Sequence, residues 1–253
     1  MKNAPEQVTF LVNGRVCQGR RGEGLLAALR RAGYEVPSLC YHPKLSALGA
    51  CRLCLVEVLQ GDTPILTTSC NYPVEKNVVV YLDSPRVQRN RRVVLELLLA
   101  MTDEVEYLRA LAARFKVQTT RFTPRRRGEK CIACGLCTRV CREVVKAEAI
   151  AMAHRGEQRA MERAPFGEFP ESCIGCGACA YLCPTGAISM EEIAVSRLRQ
   201  AWSAERPCRY ALMGLAPGTV CENDYACGRC EFDQRMIDRA AGDHPVFLKL
   251  QGR

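Results

Sequence analysis

Residues 131–141 read CIACGLCTRVC, and residues 173–184 read CIGCGACAYLCP. Both carry one spacing, C-x2-C-x2-C-x3-C. Cys131 and Cys173 are 42 residues apart, and so are Cys141 and Cys183, which marks an internal repeat. Three cysteines at i, i+3 and i+6 on a tight turn hold three corners of a four-iron cubane. The fourth points to the other cubane of the pair. Cys131, Cys134, Cys137 and Cys183 therefore form one expected ligand set for a 4Fe–4S cluster. Cys173, Cys176, Cys179 and Cys141 form the other. Gly135, Gly175 and Gly177 let the backbone pack against the sulfurs. Pro184 after Cys183 fits the spacing; Arg142 after Cys141 departs from it. Between the copies, Ala151–Phe169 reads as a hairpin turning near Arg155-Gly156.

Upstream lies a different quartet, Cys40, Cys51, Cys54 and Cys70, spaced C-x10-C-x2-C-x15-C. Gln7–Val12 alternates and stops at Asn13-Gly14, a hairpin signal, with a second strand at Arg15–Gln18. Gly24–Ala32 has helical spacing and ends at Gly33. Leu55–Leu59 and Val78–Tyr81 read as further strands. Two hairpins, a helix and a long cysteine loop make a β-grasp plan. Ser46, Ala47, Gly49 and Ala50 are small enough for backbone amides to approach the sulfurs of a two-iron cluster. A structural zinc is the alternative on the same residues. Cys40-Tyr41-His42 is not half of a Rieske site, because the second half, Cys51-x2-Cys54, has no histidine. Cys17 has no partner and reads as a small buried hydrophobe.

The stretches PSLCYHPKLSALGACRLCLVEV and SCNYPV resemble the N-terminal region of the large iron–sulfur subunit of respiratory NADH dehydrogenase. CIACGLCTRVCREV and SCIGCGACAYLCPTGAI also resemble the diaphorase small subunit of NAD-linked hydrogenases, and iron–sulfur regions of multimeric hydrogenases and formate dehydrogenases. The resemblance spans residues 5–192. It implies a plant-ferredoxin-type 2Fe–2S cluster on Cys40, Cys51, Cys54 and Cys70. It also implies a flavin/NAD(P)H-binding partner and a further redox subunit. In those relatives the connector carries one His and three Cys that bind an extra cluster. Here neither residue type occurs between Cys70 and Cys131, so that cluster is expected to be missing. Val87–Phe115, with VVLELLLA and YLRALAARF, reads as helical throughout.

A fourth quartet, Cys208, Cys221, Cys227 and Cys230, follows the resemblance. Its Cys227-x2-Cys230 knuckle suits structural zinc or a further iron–sulfur cluster, with unliganded thiols the third possibility. Glu231–Ala241 reads as a helix. The fold class is thus α+β. The expected domains are a 2Fe–2S ferredoxin-like domain at 1–85, a helical connector at 86–127, a two-cluster 4Fe–4S ferredoxin-like domain at 128–192 and a four-cysteine module at 193–253.

Composition agrees. The chain has 253 residues and 17 cysteines, too long for a small disulfide scaffold. Met1–Phe10 lacks the pattern of a signal peptide. The longest apolar run, near Val93–Met101, is interrupted by Glu96 and falls short of a membrane span. A cytoplasmic chain with reduced thiols is expected, and there regularly spaced cysteines mean metal. The formal charge of +9 falls to about +3 once three clusters of roughly −2 each are bound, and to about +1 with a fourth four-thiolate site. That weakens a nucleic-acid role. The run Arg121, Arg125, Arg126, Arg127 and Lys130 is a solvated linker or a docking patch for an acidic partner. There is no G-x-G-x-x-G after a strand and no Walker loop. His42, His154 and His244, the only histidines, are unassigned. The expected activity is one-electron relay as the non-flavin subunit of an oxidoreductase, with no substrate-converting site of its own. A free-standing polyferredoxin and a metal-dependent nucleic-acid regulator are the rival readings.

Overall fold

The computed structural model describes residues 6–61, 63–102, 104–124, 129–163, 172–189, 195–202 and 205–251. The chain divides into two compact units, Met1–Cys134 and Gly135–Arg253.

In the first unit, β1 (Gln7–Val12) turns Val8, Phe10 and Val12 inward. Asn13 and Gly14 both take left-handed backbone angles (φ 47 and 80), as a two-residue hairpin turn requires. β2 (Arg15–Arg20) then returns antiparallel. α1 (Leu25–Arg31) buries Leu25, Leu26, Ala28 and Leu29. Gly33, at φ 84, ends it while Tyr34 N–H donates to the Leu29 carbonyl. β3 (Leu55–Gln60) and β4 (Thr63–Thr68) form a second hairpin, and β5 (Val79–Tyr81) runs parallel to β1. The sheet order is β2-β1-β5-β3-β4. β4 has no counterpart among the strands expected from sequence. It carries Pro64 and lies at the sheet edge, mostly exposed, where a missing N–H is tolerated and alternation is lost.

The connector is two helices rather than one continuous one. α2 (Pro85–Met101) starts at Ser84, whose hydroxyl accepts from Val87 N–H at 3.3 Å. It ends at Thr102, which is extended at φ −160 and ψ 124. α3 (Glu106–Arg114) follows from Val105. Thr102 and Val105, both β-branched and poorer helix formers, flank the break after a run of Leu and Ala.

Arg91 on α2 is only 6% exposed. Its Nε donates to the Leu53 carbonyl at 3.2 Å, and its Nη2 to Leu55 and Leu82 carbonyls at 2.8 and 3.3 Å. Its guanidinium also stacks over Phe115, 5.3 Å from the ring centroid. One buried cation thus ties the connector to the backbone on either side of Cys54.

In the second unit, α4 (Leu136–Val140) runs straight into a π-helical turn at Cys141–Val145. β6 (Ile150–Ala153) and β7 (Ala160–Arg163) pair antiparallel through a 3-10 turn at Gly156–Gln158. This is the hairpin expected between the motif copies, although residues 164–169 lie outside the described residues. α5 (Ala178–Tyr181), α6 (Ser196–Ala201), α7 (Arg209–Leu212) and α8 (Glu231–Arg239) follow, then a 3-10 turn at Pro245–Leu250.

Replacing Arg91 by Met keeps the stem but leaves three carbonyls without their donor. We expect a loss of about 3 kcal/mol in unfolding free energy, read by denaturant titration, whereas Arg89→Met on the exposed face of α2 should be near neutral.

Candidate metal centres

The β3–β4 hairpin sets the first site. Cys54 precedes β3 and Cys70 follows β4, and the register pairs Leu55 with Thr68. Ser69 clamps the hairpin mouth: its N–H and its hydroxyl both donate to the Cys54 carbonyl, each at 2.9 Å. Cys40 and Cys51 come from the loop between α1 and β3. All four cysteines are buried. Leu39 N–H donates to Cys51 Sγ at 3.3 Å and Cys51 N–H to Cys40 Sγ at 3.4 Å. The sulfurs interact as two pairs. The hydrogen bond with Cys70 leads the effects that pull the Cys54 thiol down to about 6. Its counterpart pushes Cys70 up. Hydrogen bonding to Cys40, followed by burial, pushes Cys51 up. Two pairs of soft sulfur donors, buried and met by backbone amides, suit two irons with two thiolates each. Gly49, at φ 68, keeps the loop close: a Cβ there would lie 3.0 Å from the Asn71 side chain.

In the second unit, Cys141, Cys173, Cys176 and Cys179 line one small cavity with Val140, Val145 and Ile150. A cysteine from the first motif copy thus joins three from the second. Cys141 sits at the head of the π-helical turn, and Ala149 N–H donates to its sulfur at 3.3 Å. Burial raises the Cys176 thiol to about 11 and the Cys179 thiol to about 12, and raises Cys141 as well. Neutral thiols are what this apolar wall favours, so holding four thiolates there calls for a polyvalent cationic core. Cys131 and Cys134 close the first unit, and Cys137 and Cys183 belong to the second. Ala133 N–H donates to Cys131 Sγ at 3.4 Å, and Ala187 N–H to Cys183 Sγ at 3.2 Å.

Gly135 and Gly177, at φ 70 and 81, begin α4 and α5 in the left-handed conformation. Gly175 also makes room for a side chain: a Cβ there would collide with Leu198 Cδ1 on α6.

Cys208, Cys221, Cys227 and Cys230 line a separate cavity in the second unit. No disulfide joins any of the cysteines. Cys17 is buried, with its sulfur 3.9 Å from the Tyr34 hydroxyl. His42 stays in its loop and accepts from Lys44 N–H at 3.2 Å. His154 pairs with Glu162 at 2.7 Å. His244 is 3% exposed and accepts from Val246 N–H at 3.1 Å. Burial, then the charge of Arg209, lowers it to about 4. Of the basic run, Arg121 pairs with Glu96 at 2.9 Å, and residues 125–127 lie outside the described residues. Arg91, Arg209, Tyr225 and His244 escape sequence reading because each meets its neighbours only in the folded chain.

Comparison with known proteins matches residues 5–85 to a 2Fe-2S iron-sulfur cluster binding domain and residues 130–187 to a 4Fe-4S dicluster domain. The chain carries both domains. The NADH-ubiquinone oxidoreductase 75 kDa subunit of Reclinomonas americana is 29% identical over 211 residues, covering 74% of this chain and 30% of that protein. A subunit of the NADH-quinone oxidoreductase of Rickettsia prowazekii is also 29% identical over 211 residues, with the same coverage. The chain thus spans about 30% of the length of these curated relatives. It resembles their N-terminal region. Among solved structures, an NAD+-reducing [NiFe]-hydrogenase in the H2-reduced state matches with TM-score 0.55 and 29% identity, over 62% of this chain and 75% of that one. The chain therefore carries iron–sulfur domains similar to those in subunits of oxidoreductase complexes.

Gly175→Ala combines a left-handed φ with the Leu198 clash and should destabilise the protein by about 2–3 kcal/mol. Adding Leu198→Ala should cost less than the two single changes together, by about 1 kcal/mol, in a thermal-unfolding double-mutant cycle.

Proposed function

We propose that this chain is the flavin-free relay subunit of an oxidoreductase complex, passing single electrons between a flavin/NAD(P)H-binding partner and another redox subunit. The observation that supports it most is the joining of a buried four-cysteine β-grasp loop to two in-register C-x2-C-x2-C-x3-C copies in one chain. In this reading Cys40 and Cys51 hold one iron of a 2Fe–2S cluster, and Cys54 and Cys70 the other. Cys131, Cys134, Cys137 and Cys183 hold one 4Fe–4S cluster; Cys173, Cys176, Cys179 and Cys141 hold the second. When bound, such clusters supply one-electron exchange without moving hydride or proton.

The chain's own residues set the conditions. Leu39, Cys51 and Ala149 amides donate to thiolates, which favours the charged sulfur. Val140, Val145 and Ile150 wall off water around the second quartet. Arg91 places a positive charge within electrostatic reach of Cys54.

Hydride from NAD(P)H arrives as an electron pair, and splitting it into single electrons calls for a flavin. The fingerprint loops that would hold a dinucleotide are missing from this sequence, so the flavin belongs to a partner. The names of the relatives favour NADH dehydrogenase-like or hydrogenase-like assemblies, with formate dehydrogenase as another terminal partner. With no Cys or His between Cys70 and Cys131, the connector at 86–127 carries no cluster. We place the assembly in the cytoplasm; among the described residues no helix is long and apolar enough to cross a membrane.

Two measurements test this. Cys54→Ser should remove about two irons and two labile sulfides per chain and spare the 4Fe–4S iron, as read by metal analysis. Purified anaerobically at native levels, the chain should elute within a larger assembly containing a flavoprotein. NADH or NADPH should bleach the cluster absorbance of that assembly but not of the isolated chain. Elution as a fully coloured monomer would replace the subunit reading with a diffusing polyferredoxin.

A further inference from the structure

The C-terminal quartet lies beyond both matched domains, at Cys208, Cys221, Cys227 and Cys230. A short antiparallel bridge, Pro207 to Val220, brings its first half together. Cys208 N–H donates to the Thr219 carbonyl at 2.8 Å and Cys221 N–H to the Arg206 carbonyl at 2.6 Å. Cys227 opens a 3-10 turn and Cys230 precedes α8. All four line one cavity of about 520 Å³.

Two buried polar atoms on residues of that cavity wall have no protein partner. Tyr225 is 4% exposed, and its hydroxyl is unpaired. Arg209 is 9% exposed; Asp233 and the Tyr210 hydroxyl take its Nη2, and its Nε is unpaired. A buried donor without an acceptor is destabilising, so acceptors belong in the cavity. Tyr225 N–H already donates to Cys221 Sγ at 3.3 Å.

The cavity and its unpaired donors favour one of the candidate metals. Zinc binds thiolates at about 2.3 Å, which brings neighbouring sulfurs within about 3.8 Å of one another around one point. Among the described residues no three Cys, His, Asp or Glu side chains are placed to share one metal ion. A four-iron cubane spreads its four thiolates around a larger core and offers bridging sulfides as hydrogen-bond acceptors. We propose that Cys208, Cys221, Cys227 and Cys230 bind a third 4Fe–4S cluster, with Tyr225 and Arg209 as hydrogen-bond donors to its sulfurs.

The site adjoins the second 4Fe–4S motif. Tyr181, two residues after Cys179, donates its hydroxyl to the Gly242 carbonyl at 3.0 Å, and its ring meets His244 edge-on at 5.4 Å between centroids, so the segment after α8 packs against the second motif. An electron passing between the two cubanes oxidises one core by one unit as it reduces the other. The C-terminal module thereby lengthens the relay.

The test uses the full-length chain, purified anaerobically, with iron, labile sulfide and zinc counted per chain. The expected wild-type content is about 14 irons without stoichiometric zinc. The Cys227→Ala/Cys230→Ala double variant should lose about four irons and keep the rest. Tyr225→Phe should keep all the iron and lower the midpoint potential of one cluster signal. One zinc per wild-type chain, lost in the double variant while iron is unchanged, overturns the proposal; so does a double variant with unaltered metal. If the three-cluster reading is the one at fault, wild-type iron falls short, yet the double variant still removes four.

Discussion

Thiolates gathered inside a protein repel one another and lose their water, and every part of this chain is arranged around that penalty. Burial alone pushes Cys141, Cys176 and Cys179 toward the neutral thiol. In the first unit, Cys51 and Cys70 rise and Cys54 falls, so each pair leans toward sharing a proton. An iron–sulfur core would resolve the conflict by supplying positive charge among the sulfurs. The folding of the cysteine loops and the loading of the clusters are on this view one equilibrium. The amide donors, the left-handed glycines and the walls of aliphatic side chains are the parts that a bound core would stabilise together.

Buried arginines complete the arrangement. Arg91 reaches from the connector to the carbonyls beside Cys54, and Arg209 lines the cavity of the C-terminal quartet. Each is held at its ends, by backbone carbonyls in one case and by Asp233 and Tyr210 in the other, so its position is fixed before any cluster binds. The basic sequence is thus partly an internal counter-charge. A relay that changes charge by one unit at a time benefits from fixed rather than mobile cations, because nothing nearby has to reorganise.

The repeated cysteine spacing stands out in the sequence, and the structure places Cys141 with Cys173, Cys176 and Cys179 on one cavity. The first strands were readable because Val8, Phe10 and Val12 alternate with period two up to an Asn-Gly turn. β4 was not, since Pro64 and its exposed edge position erase the alternation. The helical spacing expected over Val87–Phe115 is realised as two helices that part at Thr102, where local propensity outweighs a continuing apolar stripe. Arg91 contacts residues 36 and 38 positions away, a separation that no local pattern records. Gly175 was legible as special, but its contact with Leu198, 23 residues further on, exists only through the fold. Tyr225 and Arg209 look like ordinary residues of a loop and a short helix until their burial is known.

Whether these cysteines hold redox clusters is decided by a reductive titration of the anaerobically purified chain, followed by EPR at several temperatures. We expect one S = 1/2 signal that survives at higher temperature, from the 2Fe–2S cluster on Cys40, Cys51, Cys54 and Cys70, together with fast-relaxing 4Fe–4S signals seen only when cold. A folded chain that takes up no electrons and holds zinc in these cysteines would contradict the electron-relay reading.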